Sequence, residues 1–139
     1  MNAVVREARG WIGTPFVHQG RSKSAGCDCL GLVLGVLERC GHRIAVPAYA
    51  EDWQNSDERF LYNGLLANLE PTSQELSVGQ LIGFALRPRG PLQHLGILSQ
   101  SAPIPRFIHA YGTHGVVESA LTDAWQRRIV ARFELPIGD

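Results

Sequence analysis

Apolar and polar positions divide the chain into two unlike halves. Val4, Val5, Ala8, Trp11 and Ile12 recur at helical spacing over residues 3–12, and Gly13 with Pro15 stops that helix. A loop rich in Gly, Ser and Lys follows at residues 19–26. From Asp28 the period is helical again: Leu30, Val33, Leu34, Leu37 and Cys40 share a broad apolar face, and Gly41 stands where a left-handed C-terminal cap belongs. Asp28 has the chemistry of an N-cap, which makes Cys29 the first helical residue. Residues 57–69 predict a third helix, capped by Asp57 and ended by Pro71, with Phe60, Leu61, Leu65, Leu66 and Leu69 available for burial.

The second half changes period. Residues 80–86, 92–99, 106–111, 115–119 and 129–135 are short apolar or alternating runs, separated by Pro and Gly clusters at 87–91 and 102–105. Residues 122–128 predict a short helical turn between the last two runs. Helices first and strands afterwards predict an α+β fold, N-terminal helices packed on a central antiparallel sheet, with residues 1–139 as a single domain.

Composition narrows the partners. The chain has 45% apolar and 19% charged residues and a formal net charge of zero. Its Lys and Arg are scattered, so nucleic acid is not an expected partner, and a zwitterionic or uncharged polymer is the easier one. The first residues lack the basic start and unbroken apolar core of a signal peptide, which predicts synthesis in the cytoplasm with another carrier for any outside target. No run approaches the ~20 apolar residues that span a bilayer, so no membrane partner is expected. Three cysteines, an odd number, argue against a disulfide framework and for a free thiol.

Of these, Cys29 carries the most chemistry. A thiol at a helix start feels the positive end of the helix dipole and several unpaired N–H groups, and both favour the nucleophilic thiolate. The same N–H groups suit an oxyanion, and Gly31 is expected to leave the floor of such a site uncrowded. The plainer reading of Cys29 is a small buried hydrophobe. Cys40 continues the apolar stripe as core, and Cys27 reads as loop packing. No metal site is expected: residues 29–40 as one helix hold Cys27 and Cys29 ~16 Å from Cys40 and His42, whereas zinc ligands lie ~2.0–2.3 Å from the ion. His94 and His109 sit in apolar, β-prone segments, where an imidazole is costly unless its nitrogens are used. On neighbouring strands one could take the thiol proton and the other orient it. His18, His42 and His114 lie in loop-like contexts, His18 close to the cysteine loop.

In these residues the chain resembles the NlpC-type cell-wall cysteine peptidases. Gly13-Thr14-Pro15-Phe16-Val17, Gly20 and Asp28-Cys29-Leu30-Gly31-Leu32-Val33 are similar to that family's Gly-Thr-Pro-Tyr stretch and Asp-Cys-Ser-Gly-Leu-Val helix start. His94-Leu95-Gly96-Ile97 resembles its His-Val-Gly-Ile strand, Phe107-Ile108-His109-Ala110 the segment of its third polar residue, and Val78-Gly79-Gln80-Leu81 its Pro-Gly-Asp-Leu step. Three further features resemble the phage and gene-transfer-agent branch: Cys27-Asp28-Cys29-Leu30-Gly31-Leu32, Val116-Val117-Glu118-Ser119, and the segment from Trp125 to Pro136.

The resemblance implies a reduced papain-like fold and hydrolysis of peptidoglycan stem peptides, typically between D-glutamate and a diamino acid. It implies Cys29 as nucleophile, His94 as base and His109 as orienting residue, with Phe16, His18 and Asp28 on the substrate side, although capping by itself accounts for Asp28. No cofactor is implied, and phage-like tail proteins are possible partners. The chain departs from the pattern at Phe16, which lacks the usual tyrosine hydroxyl, at Leu30 for serine, and at Gln80 for aspartate, where a structural effect is expected. A structural tail subunit that lost activity, and an acyltransferase or amidase using the same Cys and His, are the alternatives.

Overall fold

The computed structural model describes residues 2–45 and 59–136. Helix α1 spans Ala3–Arg9, started by Asn2, whose side-chain oxygen accepts from the Val4 and Val5 N–H groups at 2.9 and 3.1 Å. Val4, Val5 and Ala8 are buried, as the spacing predicts. The helix stops three residues early, so Trp11 turns into the core while Ile12 leaves the apolar face for solvent.

Strands β1 (Arg21–Ser22) and β2 (Gly26–Cys27) form a small antiparallel hairpin inside the segment read as loop. Its second strand is tied to the chain before it: the Cys27 N–H donates to the Pro15 carbonyl, the Val17 N–H to the Cys27 carbonyl, both at 3.0 Å.

Helix α2 spans Cys29–Arg39 with Asp28 as its N-cap, and Gly41 beyond it has a positive φ of 94°. Every residue from Cys29 to Leu37 is buried, because α2 lies between α1, the hairpin and the sheet. The chain leading into the hairpin approaches so closely that a Cβ on Gly31 would collide with the Gly20 carbonyl oxygen. Gly31 therefore seats a loop on the helix; it does not clear the floor of a site, as its spacing from Cys29 had implied. Cys40 ends the helix half-buried, while Cys27 is fully buried.

Helix α3 covers Phe60–Leu66, so the predicted cap at Asp57 lies outside the described residues. Leu61, Leu65 and Leu69 are buried, but Leu66 faces solvent, because adjacent helical residues such as Leu65 and Leu66 point about 100° apart. Pro71 does not end this helix; it lies beyond it in the short edge strand β3, Glu70–Pro71, where a missing N–H is tolerated.

The remaining strands are β4 (Leu81–Phe84), β5 (His94–Gln100), β6 (Arg106–Tyr111), β7 (Gly115–Ala120) and β8 (Ile129–Glu134), within a residue or two of the five predicted runs. Helix α4, Asp123–Gln126, is capped by Thr122 in the predicted turn. The six-stranded sheet is ordered β3-β8-β4-β5-β6-β7 and is antiparallel throughout. Alternation splits its core in two. Leu81, Leu95, Ile97, Ile108, Ala110 and Phe133 join α1 and α2 on one face, and Ile82, Phe84, Leu98, Phe107 and Leu121 pack with Trp125 of α4 on the other. Gln80 pins the sheet entrance, donating to the Glu75 carbonyl and to Glu134 and accepting from Arg132, which is the structural role expected of it.

Candidate active site

The first turn of α2 owes its geometry to Asp28. One carboxylate oxygen accepts from the Gly31 N–H at 2.7 Å, the other from the Gln19 N–H at 2.8 Å. Asp28 is buried, so both bonds are made away from water, and they lock the loop carrying Phe16 and His18 to the helix start. This is the capping role the sequence favoured.

Cys29 is 1% exposed and sits against the start of β5. The N–H groups of Leu95, Leu30 and Cys29 itself face the sulfur and favour its thiolate, as a helix start should. Burial outweighs them. Desolvation first, and then the neighbouring Asp28 carboxylate, push the thiol up to about 12, so the resting sulfur is an S–H. The expectation of a thiolate poised at a helix N-terminus is thus overturned: water is too completely excluded for the dipole to prevail. Cys27, also next to Asp28 and buried, is likewise pushed up to about 12.

His94 opens β5 opposite Phe84, and His109 lies on β6, the next strand in the sheet. Their side chains project from the sheet face that carries Phe84, Phe107 and Trp125, and they meet: His94 Nε2 and His109 Nδ1 are 2.7 Å apart. His94 is 2% and His109 1% exposed. Desolvation lowers His94 to about 3, helped by His109, and lowers His109 to about 4, helped by His114. Both rings are therefore neutral near pH 7. The bond to His109 takes Nε2, which leaves Nδ1 as the other nitrogen of His94. The N–H of Leu95, which faces the Cys29 sulfur, belongs to the residue directly after His94. Among the described residues, the hydrogen bonds of His94 run to His109, and none joins it to Cys29. Catalytic pairs are often loose before substrate arrives.

Aromatic rings surround the histidine pair. Trp125 stands edge-on to His109 with centroids 5.5 Å apart, and Tyr111 stacks on His109 at 5.3 Å. Phe84 and Trp125 flank His94 at 5.9 and 5.8 Å. Ser119 reaches His109 Nε2 with its hydroxyl at 2.9 Å. Sequence reasoning assigned no role to Ser119 or Trp125. The signal for Ser119 was alternation: His109 lies opposite Val117 in the register of β6 and β7, so Ser119, two residues on, is its diagonal neighbour on the same face.

Of the substrate-side residues, Phe16 is 36% exposed and bridges in parallel to Cys27, His18 is half-buried, and Asp28 is occupied by its caps. A cleft of about 700 Å³ runs along the outer side of α2, bounded by Arg21, Lys23, Gly35, Arg39 and Arg43, and reaches neither Cys29 nor the histidines. The arrangement can do acyl chemistry: a thiol at a helix start, a neutral imidazole beginning the adjoining strand, and a second imidazole to orient it.

Known proteins resemble this chain in sequence and in fold. The sequence profile described as the NlpC/P60 family matches residues 13–134. A gamma-DL-glutamyl hydrolase of Bacillus subtilis (strain 168) is 29% identical over 134 residues, 94% of this chain but 29% of that protein, so the chain spans under a third of its curated relative. Two crystal structures share the fold. One is of a Staphylococcus aureus subsp. aureus Mu50 protein described as similar to lipoprotein, NLP/P60 family, with TM-score 0.64 and 24% identity over 99% of this chain and 41% of that one. The other is the NlpC/p60 domain of the peptidoglycan hydrolase SagA, with TM-score 0.63 and 21% identity over 96% and 97%.

Proposed function

The chain belongs to the NlpC/P60 family, and from that premise we propose that it is a cysteine peptidase that hydrolyses the γ-D-glutamyl–diamino acid bond of peptidoglycan stem peptides. The observation that carries the reading is the buried His94–His109 pair, with the N–H of Leu95, next after His94 on its strand, facing a thiol that opens a helix. That the Bacillus subtilis relative is a gamma-DL-glutamyl hydrolase supports a γ-glutamyl bond as the target.

The reaction starts from neutral partners. As the scissile carbonyl arrives, the Cys29 proton passes to His94 Nδ1 and sulfur attacks the carbonyl carbon. The Cys29 N–H at the helix start stabilises the oxyanion. Collapse breaks the C–N bond, His94 returns its proton to the leaving amine, and a thioester remains on Cys29. Water, deprotonated by His94, then hydrolyses the thioester and restores the thiol.

The test is digestion of purified peptidoglycan, with new amines counted and fragments identified by mass spectrometry. The expected product carries its new amine on the diamino acid, and Cys29→Ala yields none. Amines on another residue would overturn the bond assignment, and amine release by Cys29→Ala would overturn the mechanism.

A finer reading is that the protein is made in the cytoplasm and reaches the wall as part of a phage-like particle. The Cys27-Asp28-Cys29-Leu30-Gly31-Leu32 motif and the Trp125 segment support it. Mass spectrometry of purified particles should find the chain there. A catalytically silent tail subunit is the second reading, favoured by Phe16 in place of tyrosine and by the enclosed thiol. Peptidoglycan left intact by the wild-type chain would select it.

A further inference from the structure

We propose that Ser119 is a positioning residue for the histidine pair: its hydroxyl, 2.9 Å from His109 Nε2, anchors that ring and accepts its N–H in the arrangement that leaves His94 Nδ1 ready to take a proton. The contact with His109 stands by itself; the direction in which it runs, and its catalytic consequence, rest on the hydrolase reading.

Two neutral imidazoles joined by one hydrogen bond can share it in two ways, with His94 donating from Nε2 or His109 donating from Nδ1. Only the first leaves His94 Nδ1 unprotonated. In that arrangement His109 accepts at Nδ1 and must carry its own proton on Nε2. That N–H needs an acceptor, since the rings of Phe107, Tyr111 and Trp125 around His109 are poor ones. Ser119 Oγ supplies it. A hydroxyl can also donate to a bare Nε2; here it accepts, because His94, two links away, must keep Nδ1 bare to act as the base.

The neutrality of Ser119 matters too. A carboxylate here would draw a full positive charge onto His109 and compete with the charge that His94 must accept during attack. The adjacent carboxylate, Glu118, is turned away: it pairs with Arg9 at 2.6 Å and accepts from Ser99 at 2.6 Å. It shares its side of β7 with Ile108 of β6, the α2 side of the sheet. A hydroxyl therefore takes the His109 N–H without creating a second cation.

The experiment combines long-range ¹H–¹⁵N correlation spectra of the histidine-labelled full chain with kinetics on a γ-D-glutamyl–diamino acid peptide. The expected result is both histidines in the Nε2–H form in the wild type. Ser119→Ala should convert His109 to a mixture of tautomers and lower kcat roughly tenfold, a small part of what general acid–base catalysis supplies, with KM held. Ser119→Thr, which keeps the hydroxyl, should restore both. His109 protonated on Nδ1 in the wild type would overturn the proposal, as would a Ser119→Ala variant with unchanged spectrum and kcat. The arms separate the two claims. A wild type that shows the expected tautomers but leaves peptide intact refutes the hydrolase reading alone. An active wild type with the opposite tautomers refutes the role of Ser119 alone.

Discussion

Cys29 shows how two physical effects compete at one atom. The helix start offers N–H groups that stabilise a thiolate, yet complete burial and the Asp28 charge raise the thiol to about 12. Position in the chain reveals the first effect and is blind to the second, since burial depends on what the rest of the fold lays over residue 29. The consequence is measurable. In the resting protein at pH 7, iodoacetamide should modify half-buried Cys40 ahead of Cys29 and Cys27, as read by peptide mass spectrometry, and unfolding should equalise all three. Preferential labelling of Cys29 would mean that the site opens without substrate. The histidines were legible as candidates because an imidazole in an apolar strand needs partners. Which nitrogen meets which partner was not legible, because that depends on strand register.

At the level of elements, α2 was the most readable part of the chain. Its cap and its first residue follow from spacing, and the structure repeats them; burial goes beyond the apolar stripe to every residue from Cys29 to Leu37, while Cys40, read as core, is only half-buried. The hairpin before it was not readable, since two-residue strands have no period to detect. Its coupling to α2 explains why glycine stands at residue 31. Gly31→Ala would drive a Cβ into the Gly20 carbonyl, a backbone atom that cannot swing aside. We expect a loss of about 1–3 kcal/mol, the usual range for overpacking, read as a lower urea midpoint at constant m-value. An unchanged midpoint would show that the 19–28 loop is not firmly seated. The predicted helix at 57–69 was too long at its C-terminal end, because a cluster of leucines gives an apolar signal whether or not every member can face inward.

For the whole molecule, the buried histidines tie stability to pH. His94 and His109 are neutral when folded, lowered to about 3 and 4 by desolvation, with His109 and His114 as the respective secondary causes. Their ordinary value is 6.5. Between these limits the unfolded chain binds more protons than the folded one, so stability falls as pH falls from about 6.5 towards 4. Thermal melts should show Tm dropping across that window, and a His94→Gln, His109→Gln double variant should drop less. A Tm independent of pH from 7 to 4 would mean that the pair is hydrated and not sealed.

What the sequence by itself determined was the succession of helices and strands, the helix that begins at Cys29, and the residue types able to do acyl chemistry. These depend on local period, capping and side-chain functional groups, all properties of near neighbours in the chain. The tertiary structure alone decided that His94 and His109 share a bond, that Ser119 completes their chain, and that Cys29 rests as a thiol. Each of those depends on strand register and on exclusion of water, which residues far apart in sequence create only once they pack together.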